Sequence, residues 1–305
     1  IPEPAFLFHV NSAAAVSGDG LSWATAMIHL QDAINNSCDG DAIWVAGGNY
    51  HPTGFFDSNN NGTAEPRETT IYIDKNIQIL GGFAGTETSL SQRLFLNHPT
   101  ILSGDLGVPN DSSDNTYHVV YIRAATAPIT TLFIDGFIIQ DGNTAATGIE
   151  FQEFCGGGIF IDGASNPANP FLTNLFIEQN NALYGGGIYN YINASPTIRN
   201  CALVDNYALF TGGAIHNNGN IINSSPTIVN CNFVMNEAGS HGGAIMNFGG
   251  FGISSPNITN STFTRNVAPV AGAIYNFGEN GVSTPTLNNS ILWNNGSEIV
   301  DDNAS

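Results

Sequence analysis

The run Asp57-Ser58-Asn59-Asn60-Asn61-Gly62, with Glu68 at its twelfth position, has the spacing of a calcium-binding loop. Such a loop takes side-chain oxygens at positions one, three and five, a turn glycine at six, a carbonyl at seven and a bidentate glutamate at twelve. Here those are Asp57, Asn59, Asn61, Gly62, Thr63 and Glu68, with Glu65 at the position often bridged by water. No helical pattern flanks the run, so the expectation is a Ca2+ loop set between strands. An asparagine-rich turn can meet the same pattern without an ion. Asp105, Asn110, Asp111, Asp114 and Asn115 form a second acidic stretch, irregularly spaced, and read better as a surface loop with Asx turns.

Catalysis asks for more than the chain offers. Elimination chemistry on a uronate needs a Lys or Arg base beside calcium-holding carboxylates. Only Arg67, Lys75, Arg93, Arg123, Arg199 and Arg265 are cationic, against 25 acidic residues and a formal net charge of −19. That balance disfavours polyanionic substrates, and nucleic acid needs a basic footprint the chain lacks. Inverting glycoside hydrolysis needs paired carboxylates across a groove. Asp162, Glu178, Asp205, Glu237 and Glu279 stand at non-equivalent places, and Glu150 with Glu153 is the one close pair near the regular repeats. His118, His216 and His241 show no metal spacing, and no Cys-x-x-Cys pair suggests zinc. No apolar run is long enough to span a membrane.

The elements that would position any site follow from a repeat. Gly156–Ile159 and Gly185–Ile188 read Gly-Gly-Gly-Ile; Gly212–Ile215 and Gly242–Ile245 read Gly-Gly-Ala-Ile; Ala271–Ile274 reads Ala-Gly-Ala-Ile. Their starts lie 29, 27, 30 and 29 residues apart. Each period then carries Ser-Pro-Thr-Ile or a variant (Ser195, Ser225, Ser255, Thr284) and closes on Asn180, Asn206, Asn236, Asn266 or Asn295. Three short β-prone runs per period, split by Gly, Pro and Asn turns, fit one coil of a parallel β-helix; a propeller blade needs more residues. The expected fold is all-β: a right-handed parallel β-helix, a solenoid forming one domain over 1–305. Residues 1–41 form its N-terminal cap, 42–155 irregular coils and 156–305 regular coils of about 29 residues. Leu21–Asn36 carries Trp23, Met27, Leu30 and Ile34 at helical spacing, which predicts a capping helix. The C-terminal residues show no such cap. This implies a longer protein or an end covered by another molecule, by head-to-tail self-association among other routes.

Alternation assigns the faces. Ile159, Ile188, Ile215, Ile245 and Ile274 point inward as one column; Ile198, Ile228, Ile258 and Leu287 form a second; Leu203, Phe233, Phe263 and Leu292 a third. Asn190, Asn217, Asn247 and Asn276 are placed to hydrogen-bond along the stack. The Asn residues closing each coil suit a left-handed corner. Cys201 and Cys231 stand one coil apart, close enough for a disulfide and equally suited to a buried thiol ladder. Phe160, Tyr189, His216 and Tyr275 follow the inward Ile, and Tyr191, Phe248 and Phe277 lie two further on. They are expected to form an outward aromatic face, a binding surface for a glycan or a neighbouring subunit. Long turns such as Gly249–Ser254 folding back would bury it instead.

Gly-Gly-Ala-Ile followed by Phe-x-x-Asn (Phe233–Asn236, Phe263–Asn266) resembles the repeats of polymorphic outer-membrane proteins. The opening stretch from Val10 to Pro52, Gly81–Glu87 and Leu102–Asp105 resembles pectin-lyase-like right-handed β-helices on bacterial surfaces. The resemblance implies an exported extracellular or bacterial cell-surface protein of the adhesin kind. The resulting expectation is a non-catalytic structural or adhesin-like protein, stiffened by calcium. A polysaccharide-degrading enzyme on the same fold is the alternative.

Overall fold

The computed structural model describes residues 4–57, 62–63, 65–109, 111–144 and 151–303. It is a right-handed parallel β-helix. Three long sheets run the length of the stack. The first has nine strands, from Leu7–Val10 to Thr286–Asn288; the second has eight, from Gly48–Tyr50 to Ile291–Trp293; the third has nine, from Gly54–Phe55 to Ile299–Asp302. Asn181–Tyr184, Tyr207–Thr211 and Glu237–Ala238 add a fourth, short ribbon. Among the described residues every strand pairing is parallel except Gly54–Phe55 against Thr69–Thr70.

Register is set by the inward columns. Ile159 pairs with Ile188, Ile188 with Ile215, Ile215 with Ile245 and Ile245 with Ile274, and all five are buried. Phe233 and Phe263 stack with parallel rings, centroids 4.4 Å apart. A one-residue slip would turn these columns outward, so the lumen itself enforces the register. The glycine tetrapeptide has two duties. Its first residue takes a left-handed backbone (φ 70° at Gly212, 66° at Gly242), a conformation Ala271 adopts in the last copy. Its second lies so close to the next coil that a Cβ at Gly213 would meet the carbonyl oxygens of Glu237 and Gly243.

The corners differ from the expectation in one respect. The left-handed residues are Gln179, Asp205, Met235, Arg265 and Asn294, each one position before the closing asparagine. The asparagines themselves turn inward and are buried. Asn180, Asn206, Asn236 and Asn266 each donate Nδ2 to the Oδ1 of the next, at 2.9–3.0 Å. Each Oδ1 from Asn206 to Asn295 also accepts the backbone N–H of the asparagine one coil earlier. Corner polarity is thus satisfied from coil to coil, as a buried amide requires. The expected second column is present too: Asn190, Asn217, Asn247 and Asn276 link Nδ2 to Oδ1 at 2.7–2.8 Å, and Asn276 donates to Asp301 at 2.6 Å. Its first member abuts Ile161 on the preceding coil, and the Asn190 Oδ1 has no partner. Ser224, Ser254 and Ser283 form a third column, buried and donating to carbonyls one coil back. Cys201 and Cys231 are buried free thiols.

The long N-terminal helix is corrected. Trp23–Thr25 is a 3-10 turn, and the α-helix is confined to Leu30–Asn36. Between them Met27 exchanges backbone hydrogen bonds with His9 and Asn11, which holds it extended beside the first strand. Trp23 packs outside the first sheet against His9 and Phe83 and donates Nε1–H to the Glu87 carbonyl, so it shares no face with Met27. The short helix still closes the stack: Leu30, Ala33 and Ile34 join Val10, Ile43, Ile71 and Ile73 in the core.

Replacing Asn236 by alanine leaves the buried Asn206 backbone N–H without its partner and removes one contact each from the Leu203 carbonyl and from the Asn206 amide, which keeps the Ile177 and Val204 carbonyls. At about 1–3 kcal/mol for a buried unpaired group, the expected loss is about 1–3 kcal/mol. Denaturant unfolding should show it, while the exposed strand residue Asn232→Ala stays within about 0.5 kcal/mol of the parent.

Candidate functional site

The third sheet carries the aromatic column where alternation puts it, but the rings are covered. Phe160, Tyr189, His216 and Tyr275 are 0, 2, 6 and 7 % exposed, while Tyr191, Phe248 and Phe277 are half-buried. The expected open face is therefore corrected for the first four. Two physical causes combine. Tyr121 stacks on Phe160 at 5.0 Å, Phe160 on Tyr189 at 5.5 Å and Tyr189 on His216 at 4.9 Å, while Tyr275 packs beside Met246 and under His241 at 4.5 Å. The column is then roofed by Phe56, Phe154 and Tyr184, with Phe151 edge-on to Tyr189 at 6.0 Å. Phe151 and Tyr184 stand just before the corners at Cys155 and Gly185. The signal missed in the sequence is an aromatic residue within five positions ahead of a glycine tetrapeptide: Phe151 and Phe154 before Gly156, Tyr184 before Gly185.

What remains open is a groove of about 220 Å³ between roof and column, lined by Phe151, Tyr184, Tyr189, Thr211, His216, Asn218, Met246 and Phe248. Phe210, 42 % exposed, extends the rim and packs on Tyr184 at 5.3 Å. Two polar pairs are fixed in the wall. Asn218 Nδ2 donates to the Tyr189 hydroxyl at 2.7 Å, and His216 Nδ1 shares a hydrogen bond with Thr211 Oγ1 at 2.8 Å. Burial drives His216 down to a pKa of about 3, with a hydrogen bond to the Thr211 backbone opposing, so the imidazole is neutral at physiological pH. Burial also raises the Tyr189 hydroxyl well above its usual range. Among the described residues no carboxylate lines this groove. Those residues offer ring faces and fixed hydrogen bonds.

The other candidates are scattered. Glu150, Asn59, Asn61 and Asn110 lie outside the described residues. Glu153 is buried beside His118, whose pKa falls to about 4 through burial, opposed by the Gly156 carbonyl and by Glu153. Asp57 Oδ2 accepts the Gly62 N–H at 2.9 Å, five residues on, and Thr63 is exposed. Glu68 is buried, its Oε2 accepting the Glu65 N–H in a reciprocal capping box around Pro66–Glu68. One expected Ca2+ ligand therefore has a role in closing that turn. Among the described residues, no three His, Cys, Asp or Glu side chains converge as a metal site. Glu178 on the second sheet is raised by burial and by the nearby charges of Asp141 and Asp205.

No protein-family model matches the sequence, and no curated protein matches it. Among solved structures, a crystal structure of pectate lyase Pel9A is similar over 99 % of this chain and 79 % of that one, at a TM-score of 0.51 and 13 % identity. A polygalacturonase from Erwinia carotovora ssp. carotovora aligns over 100 % and 97 % at 12 % identity, but its TM-score of 0.32 carries no argument. At such identity the likeness shows the fold, a parallel β-helix, and nothing of the chemistry.

Two of the buried histidines, His118 and His216, make stability pH-dependent. Each binds a proton more readily when unfolded, so stability is full above about pH 6.5 and falls as pH drops toward about 4 for His118 and about 3 for His216. Each contributes up to about 1.4 kcal/mol per pH unit in that window. Thermal melts from pH 7 to 4 should show a progressive fall in Tm, and His216→Phe should flatten the slope.

Proposed function

We propose that this chain is an exported, non-catalytic glycan-binding surface protein whose rigid solenoid presents the aromatic groove on its third sheet. The observation that carries the reading is that groove: ring faces from Phe151, Tyr184 and Phe248, fixed polar groups from Asn218 and Thr211, and a histidine held neutral. Aromatic faces suit the apolar C–H faces of sugar rings, and Tyr and Asn suit hydroxyls. The net charge of −19 favours neutral saccharides over uronates. Export rests on the resemblance to bacterial surface β-helices.

A second partner reading, head-to-tail self-association, is favoured by the last described coil. There Leu287 and Leu292 are only partly buried, whereas their counterparts Ile258 and Phe263 are fully enclosed. An exposed apolar stack end of this kind offers a docking face to a second copy of the chain.

Titration calorimetry with a panel of neutral oligosaccharides tests the binding reading. Tyr184→Ala and Phe248→Ala should each weaken the best ligand at least tenfold, about 1.4 kcal/mol, with no reducing ends released by the parent protein. Release of reducing ends or unsaturated products, or affinity untouched by both substitutions, would replace it with the enzyme reading or another surface.

A further inference from the structure

A second groove lies where the second sheet turns toward the third. It holds about 480 Å³, and Asn115, Gln140, Asp141, Gln179 and Asn181 are among the residues that line it. Its polar groups fall into two sets. One set builds the wall: Ser103 Oγ and Gln140 Nε2 donate to Asp141 Oδ2 at 2.9 and 2.7 Å, and Asn115 Nδ2 donates to the Asp141 carbonyl at 2.7 Å. The other set is uncommitted. Asn115 is only 6 % exposed, yet its Oδ1 has no partner, and turning the amide over would set that oxygen against the Asp141 carbonyl. Among the described residues the side-chain amides of Asn181, half-buried, and Gln179, exposed at the rim, make no hydrogen bond. Either way round, each of these two offers both a donor and an acceptor.

The free groups are spread out. Asn143 stands on the coil between Asn115 and Asn181, so about two strand spacings, roughly 10 Å, separate the outer two along the stack. An extended ligand reaches both where a single ion or water does not. The outward face of the second sheet continues the surface. Gln140 pairs with Glu178, and Ile138 with Phe176, two residues back on the same face. That face leads to a hollow of about 220 Å³ lined by Leu96, Ile138, Phe176 and Glu178 among others. Phe176 is 41 % exposed there and Leu96 71 %.

A hydrogen-bonding corner beside an open ring face matches a sugar. A pyranose has an apolar C–H face, and its hydroxyls donate as well as accept. One hydroxyl can donate to Asn115 Oδ1 while another accepts from the Asn181 or Gln179 amide. Asp105 and Asp141 line the groove and, among the described residues, no Lys or Arg does, which disfavours uronates. Arg67 grips the Asn115 and Asn143 backbone carbonyls at 2.8 and 2.5 Å, and so fixes the loop that carries the buried oxygen.

We infer that this corner and the sheet face beside it form a second saccharide site, for a neutral oligosaccharide whose hydroxyls meet Asn115 and Asn181 and whose next ring lies on Phe176. It shares no lining residue with the aromatic groove on the third sheet, and each binds without the other.

Titration calorimetry with neutral oligosaccharides in EDTA tests the assignment, run on the Tyr184→Ala, Phe248→Ala double variant so that the aromatic groove is silent. The expected result is residual binding that Phe176→Ala and Asn181→Ala, added singly, each weaken at least about fivefold. Both substitutions remove partly exposed side chains, and thermal melts equal to that of the double variant separate lost binding from lost fold. Binding by the parent but none by the double variant would overturn the second site and leave the first standing. Residual affinity untouched by Phe176→Ala and Asn181→Ala, or affinity that appears only when Ca2+ replaces EDTA, would overturn it as well. Parent affinity unchanged in the double variant but lost with Phe176→Ala would support the second site alone.

Discussion

A solenoid of this kind depends on passing each buried polar group to the next coil. A coil of about 29 residues turns three corners, and every corner brings backbone and amide groups into a lumen otherwise made of Ile, Leu and Phe. Within one coil those groups find little beyond the carbonyl two residues back that Asn180 and Asn206 reach. Only a neighbour in strict register supplies the rest, so the Asn180–Asn295 column, the Asn190–Asn276 column and the serines at 224, 254 and 283 are conditions for stacking at all. The apolar columns stabilise the stack, while the amide columns make any other register costly.

That dependence explains how much was legible in the sequence. The Gly-led tetrapeptide and the inward Ile column are periodic, and periodicity survives without knowledge of distant contacts. The Asn190 column was readable for the same reason. What escaped was set by neighbours that no local pattern names. Trp23 and Met27 share a helical face in the sequence, but the first strand takes Met27 and the aromatic cluster outside it takes Trp23. The closing asparagines looked like left-handed corner residues, yet the preceding residue has that backbone because the amide is needed inside. Phe160 and Tyr189 were placed on the right face, and their burial depends on a roof contributed from outside the repeat.

The candidate sites show the same division. Regular coils offer identical side chains at each step, which suits stacking and gives little chemical variety. Variety enters where the repeat is broken: at the Phe151 turn, at the Tyr184 and Phe210 rim, and at the loop ending in Asn115. Phe151 and the Asn115 loop stand in the less regular half of the chain, and the Tyr184 and Phe210 rim interrupts its regular coils. Sequence spacing pointed to the Asp57 run because it is contiguous. It could not point to a groove assembled from residues 66 positions apart (Asn115 to Asn181).

The Asn190–Asn276 column also has a direction. Every Nδ2 points to the following coil, so the chain of amides opens on an acceptor at Asn190 and closes on a carboxylate at Asp301. Each joint between those ends is the same joint. Duplicating or deleting one interior coil therefore leaves both ends chemically unchanged, and the array can lengthen or shorten by whole coils during evolution. Its outer loops can meanwhile diversify on a frame whose inner grammar reads the same at any length.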